Sequence, residues 1–170
     1  MIVKSVHLFA AVVFVSACLQ CVASLAGEPA ATDPQVGTWE LQPAKSHFCK
    51  PEAAPHKSVR EIFDVGGHIY LNHWTGIDAK GKPIDYLYIA RYDNRKYAFP
   101  AASWVPLVYM SWKRISVSKV SFLDWKDGKV IAENTRTVSP DGRTMVQATT
   151  AIDANGQKSS CTDRQVFEKQ

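Results

Sequence analysis

Residues 129–152 have the sequence KVIAENTRTVSPDGRTMVQATTAI. Apolar and polar side chains alternate on both sides of Asp141-Gly142, and successive side chains of a β-strand point to opposite faces. Asp and Gly suit a tight hairpin because they tolerate positive φ angles. The stretch therefore predicts two antiparallel strands, residues 129–139 and 143–152, joined by a short turn.

The same combination of turn and alternating segment recurs along the chain. Turn residues occur at 66–67, 78–81, 93–94, 127–128, 141–142 and 155–156. Strands are expected at 37–42, 58–65, 68–77, 84–92, 96–99, 107–115, 119–125, 129–139, 143–152 and 157–168, with an irregular loop at 43–55. Short turns make successive strands neighbours, and closure removes exposed edges. We therefore expect an all-β fold, an antiparallel up-and-down meander closed into a barrel.

The bulk composition fits one globular domain and excludes several classes of function. The chain has 170 residues, of which 46% are hydrophobic and 21% charged. A net charge of +4 with scattered basic residues does not favour nucleic-acid binding. The sequence lacks the motifs of serine hydrolases, zinc peptidases, phosphate loops and dinucleotide-binding folds, so no cofactor is expected.

The first 26 residues are predicted to be a secretory signal peptide. Lys4 precedes a wholly apolar run at 8–15, and small residues follow up to Ala26. Cleavage before Gly27 would leave a linker at 27–36 and a domain at 37–170, exported to the periplasm or the medium. The alternative is a lipoprotein anchored at Cys18, which would leave Cys21 as an odd thiol.

Cleavage after Ala26 leaves two cysteines, and we expect them to form a disulfide. Cys49 follows the first predicted strand and Cys161 lies in the last, and these strands are neighbours in a closed barrel. His47, Cys49 and His56 could instead cluster as metal ligands. Cysteines of exported proteins are more often oxidised, so no metal is predicted.

Several short segments together resemble a bacterial lipocalin-like family of small exported proteins. They are GTWELQPAKSHF at 37–48, DGRTM at 141–145, NGQ at 155–157 and the closing FEKQ at 167–170. The resemblance covers the mature chain and implies an up-and-down barrel with a central cavity. It implies no particular activity. Two features depart from the family pattern, namely the cysteine pair and the apolar stretch from Phe99 to Trp112.

The Gly37-x-Trp39 opening is also similar to the start of true lipocalins, in which an arginine from a late strand stacks over the tryptophan. Arg136 and Arg164 are the candidates here, and such a pair would be a cation–π contact. The alternative is that Trp39 is ordinary core and both arginines face solvent.

Three predicted strands supply candidate cavity residues. Tyr86 and Tyr88 alternate with outward Asp85 and Arg91, so the tyrosine face is expected inside. Asn134 and Arg136 are expected to bring polar groups into the same interior, where they need partners. Ile69, Leu71 and His73 share a face that also looks like the inner one, which makes His73 a candidate acid–base residue or a hydrogen-bonded core histidine.

The apolar stretch from Phe99 to Trp112 is expected to form a portal or lid at the barrel mouth. Pro100 and Pro106 disfavour a central strand around Trp104, so this part should be a loop, and apolar loops need a cover or a partner. A plug without a ligand, or contact with a protein or membrane surface, are the alternatives. Val108, Met110 and Trp112 share one face of the strand that follows.

Together these features favour an exported protein that binds a small, largely apolar ligand in the barrel cavity. The expected ligand-binding residues are Tyr86, Tyr88, Trp104, Trp112, Asn134 and Arg136. One alternative is a cavity enzyme, of the isomerase, cyclase or hydrolase type, using His73 and a tyrosine as acid and base. Another is an envelope structural or interaction protein with a filled core. The sequence does not specify the oligomeric state.

Overall fold

A computed structural model describes residues 32–99 and 108–170. Ten strands account for most of this part of the chain: β1 (Gly37–Leu41), β2 (Lys57–Asp64), β3 (Ile69–Ile77), β4 (Pro83–Arg91), β5 (Asp93–Phe99), β6 (Val108–Arg114), β7 (Lys119–Lys126), β8 (Lys129–Val138), β9 (Thr144–Ile152) and β10 (Lys158–Lys169). Two 3₁₀ turns, Pro43–Lys45 and Pro51–Ala53, occupy the predicted irregular loop. No helix in the described ranges is long and apolar enough to span a membrane. The ten predicted strands are confirmed, with bounds that shift by a few residues.

The strands form one antiparallel sheet in the order β4-β3-β2-β1-β10-β9-β8-β7-β6-β5. Strands that are consecutive in sequence pair with each other, except β4 and β5, and β1 also pairs with β10, where Trp39 lies opposite Lys169. The order confirms an all-β meander that is nearly closed into a barrel. Strands β4 and β5 stand at the two ends of the order, and Phe99 bridges them with its ring centroid 4.9 Å from that of Tyr88.

Local sequence explains how the hairpins form. Between β7 and β8, Asp127 and Gly128 adopt φ angles of 49° and 77°, as a two-residue hairpin turn requires. Strand β4 alternates strictly, with Ile84, Tyr86, Tyr88 and Ala90 buried inside the barrel. The predicted inward tyrosine face is therefore confirmed.

The prediction for β3 is wrong by one residue in phase. Tyr70 and Asn72 are buried inside, whereas Leu71 and His73 face outward. The physical reason is the register with β4, because residues directly opposite each other share a face of the sheet. Asn72 lies opposite Tyr88, and Leu71 lies opposite the exposed Ile89.

One end of the barrel is filled with side chains, and we call it the closed end. Its core packs large apolar side chains from strands around the barrel: Trp39, Ile62, Tyr70, Val120, Val138, Met145 and Phe167. Gln35 is fully buried beneath them, and it accepts a hydrogen bond from Trp39 Nε1 at 3.0 Å. Residues 33–36, expected to be linker, are thus part of the fold.

The closed end also holds a paired arginine. Arg114 of β6 forms an ion pair with Asp33 and donates to the carbonyl oxygen of Val117 at 2.8 Å. The Tyr70 hydroxyl donates to Asp33 Oδ2 at 2.7 Å, and burial together with this bond raises the pKa of Tyr70 to about 12. The charges at this end therefore neutralise one another.

Neither candidate arginine stacks over Trp39. Lys169 takes that place, with its Nζ 5.2 Å from the ring centroid, because β10 runs beside β1. Arg136 lies over Trp112 instead, at 5.1 Å, and Arg164 donates to the carbonyl oxygen of Lys45. Trp39 is a fully buried core residue whose cationic neighbour is a lysine.

Candidate functional site

The end of the barrel opposite Asp33 contains an open cavity of about 440 Å³, which we call the mouth cavity. It lies between the loop after β1 and strands β3, β4, β9 and β10. Its apolar wall consists mainly of Phe48, Trp74, Ile84 and Tyr86. The volume is within the range of small-molecule sites.

The Cys49–Cys161 disulfide forms part of this wall. The two sulfurs are 2.06 Å apart and the Cα atoms 5.8 Å apart, so the bond ties the loop after β1 to β10. The Cys49 N–H donates to Asp163 Oδ1 at 2.7 Å and holds the loop in place. The predicted pairing of these cysteines is confirmed.

His47 lies next to the two cysteines, and among the described residues these three side chains are close enough together to be considered as metal ligands. Its Nε2 is 3.7 Å from Cys161 Sγ, and its backbone pairs with Arg164. Both sulfurs are consumed by the disulfide, so this group offers a single imidazole in the oxidised protein.

A second cavity of about 180 Å³ adjoins the first one deeper in the barrel. We call it the central cavity. Trp74, Thr149 and Gln165 line both cavities, so the two spaces share these side chains as a common wall. The wall of the central cavity includes two buried arginines and one carboxylate.

Arg136 reaches the central cavity from β8 and is 1% exposed. Its Nη1 donates to Asn72 Oδ1 at 3.4 Å and its Nη2 to Gln147 Oε1 at 3.3 Å. Both acceptors are neutral amides and both bonds are long. Its Nε has no hydrogen-bond partner in the described residues, so neither its charge nor its donors are fully satisfied.

Arg60 reaches the same cavity from β2 and is 6% exposed. Its guanidinium carbon lies 4.3 Å from the ring centroid of Trp74 and 5.4 Å from that of Phe167. Its Nε also has no partner in the part of the chain that is described. Burial, and to a smaller extent the cation of Arg136, lower the pKa of Arg60 to about 10 against the opposing effect of Tyr88, so Arg60 stays charged at neutral pH.

Asp124 of β7 is the carboxylate of this cavity. Asn134 Nδ2 donates to Asp124 Oδ2 at 3.1 Å, and the Thr149 hydroxyl donates to Asn134 Oδ1 at 2.7 Å. The other carboxylate oxygen, Asp124 Oδ1, has no hydrogen-bond partner in the described residues. Burial raises the pKa of Asp124 to about 6, against the opposing effects of Asn134 and Arg60. The carboxylate is therefore ionised above that pH.

The structure brings most of the predicted ligand-binding residues together. Tyr86 lines the mouth cavity, and Tyr88, Asn134 and Arg136 line the central cavity. Trp112 is fully buried beneath Arg136 and stacks on Phe122, with ring centroids 3.8 Å apart. It supports the site from below.

Two predictions concern the stretch from Phe99 to Trp112. Trp104 lies outside the described residues, as does the rest of 100–107. The flanking residues do pack inward, since Phe99 is buried and Val108 and Met110 pack against the core. The shared face of Val108, Met110 and Trp112 is confirmed.

His73 does not belong to the cavity. It lies on the outer surface of β3, one-third exposed, with Nδ1 3.0 Å from Glu61 Oε2 and Nε2 2.8 Å from Asp85 Oδ1. The bond to Asp85, and then that to Glu61, raise the pKa of His73. The arrangement is a surface ion-pair group between three neighbouring strands.

Sequence reasoning missed Arg60 and Asp124. On β2, the apolar Val59 and Phe63 lie on the face opposite to Arg60. A pattern that places these apolar side chains inside therefore places the arginine outside. Arg60 lies opposite Trp74, an inward residue of β3 whose face the sequence pattern also assigned wrongly, so no signal in the sequence would have found it. Asp124 follows Val120 and Phe122 on the inner face of β7, and this alternation was available in the sequence.

Scans of the chain against protein-family models and against curated proteins find no match.

Proposed function

We propose that this protein binds a small molecule that enters through the mouth cavity and reaches the central cavity. The observation that supports the proposal most strongly is that the two cavities adjoin and share Trp74, Thr149 and Gln165 in their walls. An outer space with an aromatic wall thereby lies next to an inner one that holds buried arginines. Concave sites with aromatic walls and a few convergent polar groups are typical of small-molecule binding.

The mouth cavity suits the apolar part of such a ligand. Trp74 and Tyr86 pack with ring centroids 5.5 Å apart, and Ile84 and Phe48 extend their surface. Covering these rings with an apolar group would remove them from water, which is favourable in proportion to the buried area. The ligand is therefore largely apolar at its outer end.

The two alternative functions receive less support. The enzyme hypothesis relied on His73 with a tyrosine, and His73 is on the outer surface between Glu61 and Asp85. The interaction-protein hypothesis required a filled core, which describes the closed end only. A binding protein accounts for both the filled end and the open one.

We infer that the protein is exported and that it is a lipocalin-like barrel. The leader pattern of residues 1–26, which are outside the described part of the chain, and the Cys49–Cys161 disulfide support export, because disulfides persist in oxidising compartments. N-terminal sequencing of envelope protein should begin at or near Gly27. Mass spectrometry showing a lipid on Cys18 would replace the free form with an anchored one.

Binding can be tested with N-phenyl-1-naphthylamine, a neutral apolar dye whose fluorescence increases in apolar sites. The purified protein should bind it, and Ala151→Trp should abolish most of the increase by filling the mouth cavity that Ala151 lines. Thr150→Trp is the matched control, because Thr150 is the adjacent residue and its hydroxyl bonds to Thr162 outside the cavity wall. Equal binding by both variants, or none by the wild type, would contradict the proposal.

A further inference from the structure

We propose that the ligand is a singly charged carboxylate amphiphile whose carboxylate lies between Arg60 and Arg136 in the central cavity. This inference rests on the proposed function and specifies its ligand class. It is carried by two buried guanidinium groups that line one cavity and, within the described residues, have no carboxylate at salt-bridge distance.

Burying the two arginines without an ion-pair partner costs free energy. A buried charge is expensive unless it is paired and hydrogen-bonded. Within the described residues, neither guanidinium has a carboxylate at salt-bridge distance, and each leaves its Nε without an acceptor. An anionic acceptor in the cavity that both residues line would supply the missing counter-charge.

The charged residues of the central cavity indicate the charge of the ligand. Among the residues that line the central cavity, the charged ones are Arg60, Arg136 and Asp124. With Asp124 ionised their sum is one positive charge, which a single negative charge neutralises. A dianion would leave an excess of negative charge next to a buried carboxylate.

The sizes and walls of the two cavities indicate the shape of the ligand. The central cavity has about 180 Å³, enough for a small head group, while the mouth cavity of about 440 Å³ has the apolar wall. A ligand that fills both has its charged group inside and its apolar part outside. Guanidinium groups match the planar carboxylate geometrically, and such charge-assisted bonds are the stronger kind.

A wholly apolar ligand fits these observations less well. On entering the central cavity it would displace water and leave the donors of Arg60 and Arg136 without acceptors, which carries a desolvation penalty. The polar inner wall therefore selects against a ligand without a head group. This refines the expectation of a largely apolar ligand drawn from the sequence.

The test compares dodecanoate with 1-dodecanol, which have the same chain and differ in the head group. Each is titrated at pH 8 to displace N-phenyl-1-naphthylamine from the wild-type protein. We expect dodecanoate to bind at least about tenfold more tightly, as a charge-assisted pair of hydrogen bonds should provide. This comparison requires no variant to fold.

Three variants then assign the preference to the two arginines. Arg60→Met and Arg136→Met should each reduce the preference for dodecanoate to about one- to threefold, and leave the affinity for 1-dodecanol within about twofold. Arg143→Met is the control, because Arg143 is an exposed arginine next to the β8–β9 turn. It should keep the wild-type preference.

The outcomes separate the two proposals. If the dye binds and Ala151→Trp blocks it, but dodecanoate binds no better than 1-dodecanol, the barrel binds small molecules and the carboxylate inference is wrong. A preference for dodecanoate that survives both methionine substitutions also overturns the inference. If neither the dye nor either amphiphile binds, the proposed function itself fails.

Discussion

The barrel contains arginines at its closed end and at its centre, and the two regions differ in whether the buried charge has an ion-pair partner. At the closed end, Arg114 is paired with Asp33, and the Tyr70 hydroxyl completes the group. At the centre, Arg60 and Arg136 are more deeply buried, yet their hydrogen-bond partners are neutral or missing in the described residues. A charge that is buried with its counter-charge contributes to the fold. A charge that is buried without one costs stability, and we propose that it is retained to bind the ligand.

The largest effect should come from Trp112, which lies between the two regions. Trp112→Ala removes a fully buried ring stacked on Phe122, and we expect a loss of about 3–5 kcal/mol in the free energy of unfolding. Trp125→Ala is the control, since Trp125 is only partly buried and bonds to Ser111. Urea unfolding measures both. A loss below about 1 kcal/mol in Trp112→Ala would show that this packing does not support the barrel.

The disulfide should be the main stabilising element of the open end. Replacing Cys49 and Cys161 with serine removes a cross-link that closes a long loop, and we expect a loss of about 2–4 kcal/mol. Adding a reductant should destabilise the wild type by a similar amount and leave the double variant unchanged. A wild type indifferent to the reductant would mean that the open end holds together without the bond.

Disrupting the paired arginine and removing an unpaired one should have different effects on the free energy of unfolding. Asp33→Asn breaks the closed-end pair and should cost about 1–3 kcal/mol, because Arg114 loses its counter-charge. Arg60→Met removes an unpaired buried charge and should leave the unliganded protein as stable as before, or more stable by about 1 kcal/mol. Equal losses in both variants would remove the distinction between the two regions.

Asp124 gives the central group a dependence on pH. The pKa of Asp124 is raised to about 6 in the folded protein, whereas an unfolded chain keeps the ordinary value near 3.9. Between these values the folded state binds more protons, so the stability contributed at this site is present at low pH and declines as the pH rises through 6. Urea unfolding at pH 4.5 and 7.5 should show a smaller decline in Asp124→Asn. An unchanged decline would place its origin elsewhere.

His73 should have the smallest effect, since it lies on the outer surface. Its raised pKa means that bonds to Asp85 and Glu61 stabilise the protein when the imidazole is charged, and this contribution is lost as the pH rises through that pKa. His73→Gln should cost less than about 1 kcal/mol at pH 5 and less at pH 9. It should also leave dye binding unchanged, and a clear loss of binding would return His73 to the site.

Strand alternation and turn chemistry were sufficient to predict the fold. The ten strands follow from patterns that the chain carries locally, and the pairing of β1 with β10 and the cysteine pair follow from closure of the barrel. The inward face of β8 was predictable because most of its outer positions are polar, as Glu133 illustrates, and that of β4 because the charged Asp85 and Arg91 mark its outer face. Where one face is clearly polar, the pattern determines the other.

The candidate site was predictable only in part, because the alternation rule fails where a charged side chain lies inside the barrel. On β2 the rule places Phe63 inward and Arg60 outward, and the barrel does the reverse, with Phe63 47% exposed. On β3 both faces carry large apolar side chains, so the pattern could not decide between Tyr70 and Leu71. The register with β4 decided it, and a five-residue turn at 78–82 did not reveal that register in advance.

The pairing of β1 with β10 also has a consequence for how the chain folds. Every other ladder of the sheet joins strands that are consecutive in sequence, whereas Trp39 and Lys169 come from opposite ends of the domain. Hairpin contacts close short loops and form rapidly, while a contact of such high sequence separation carries a large entropic cost before it is rewarded. The joining of the two meanders, β1 to β4 and β5 to β10, is therefore expected late on the folding pathway, with the hairpins already present. Until that moment β1 and β10 are unpaired on one side, and this is the interval in which the chain is most exposed to intermolecular strand pairing.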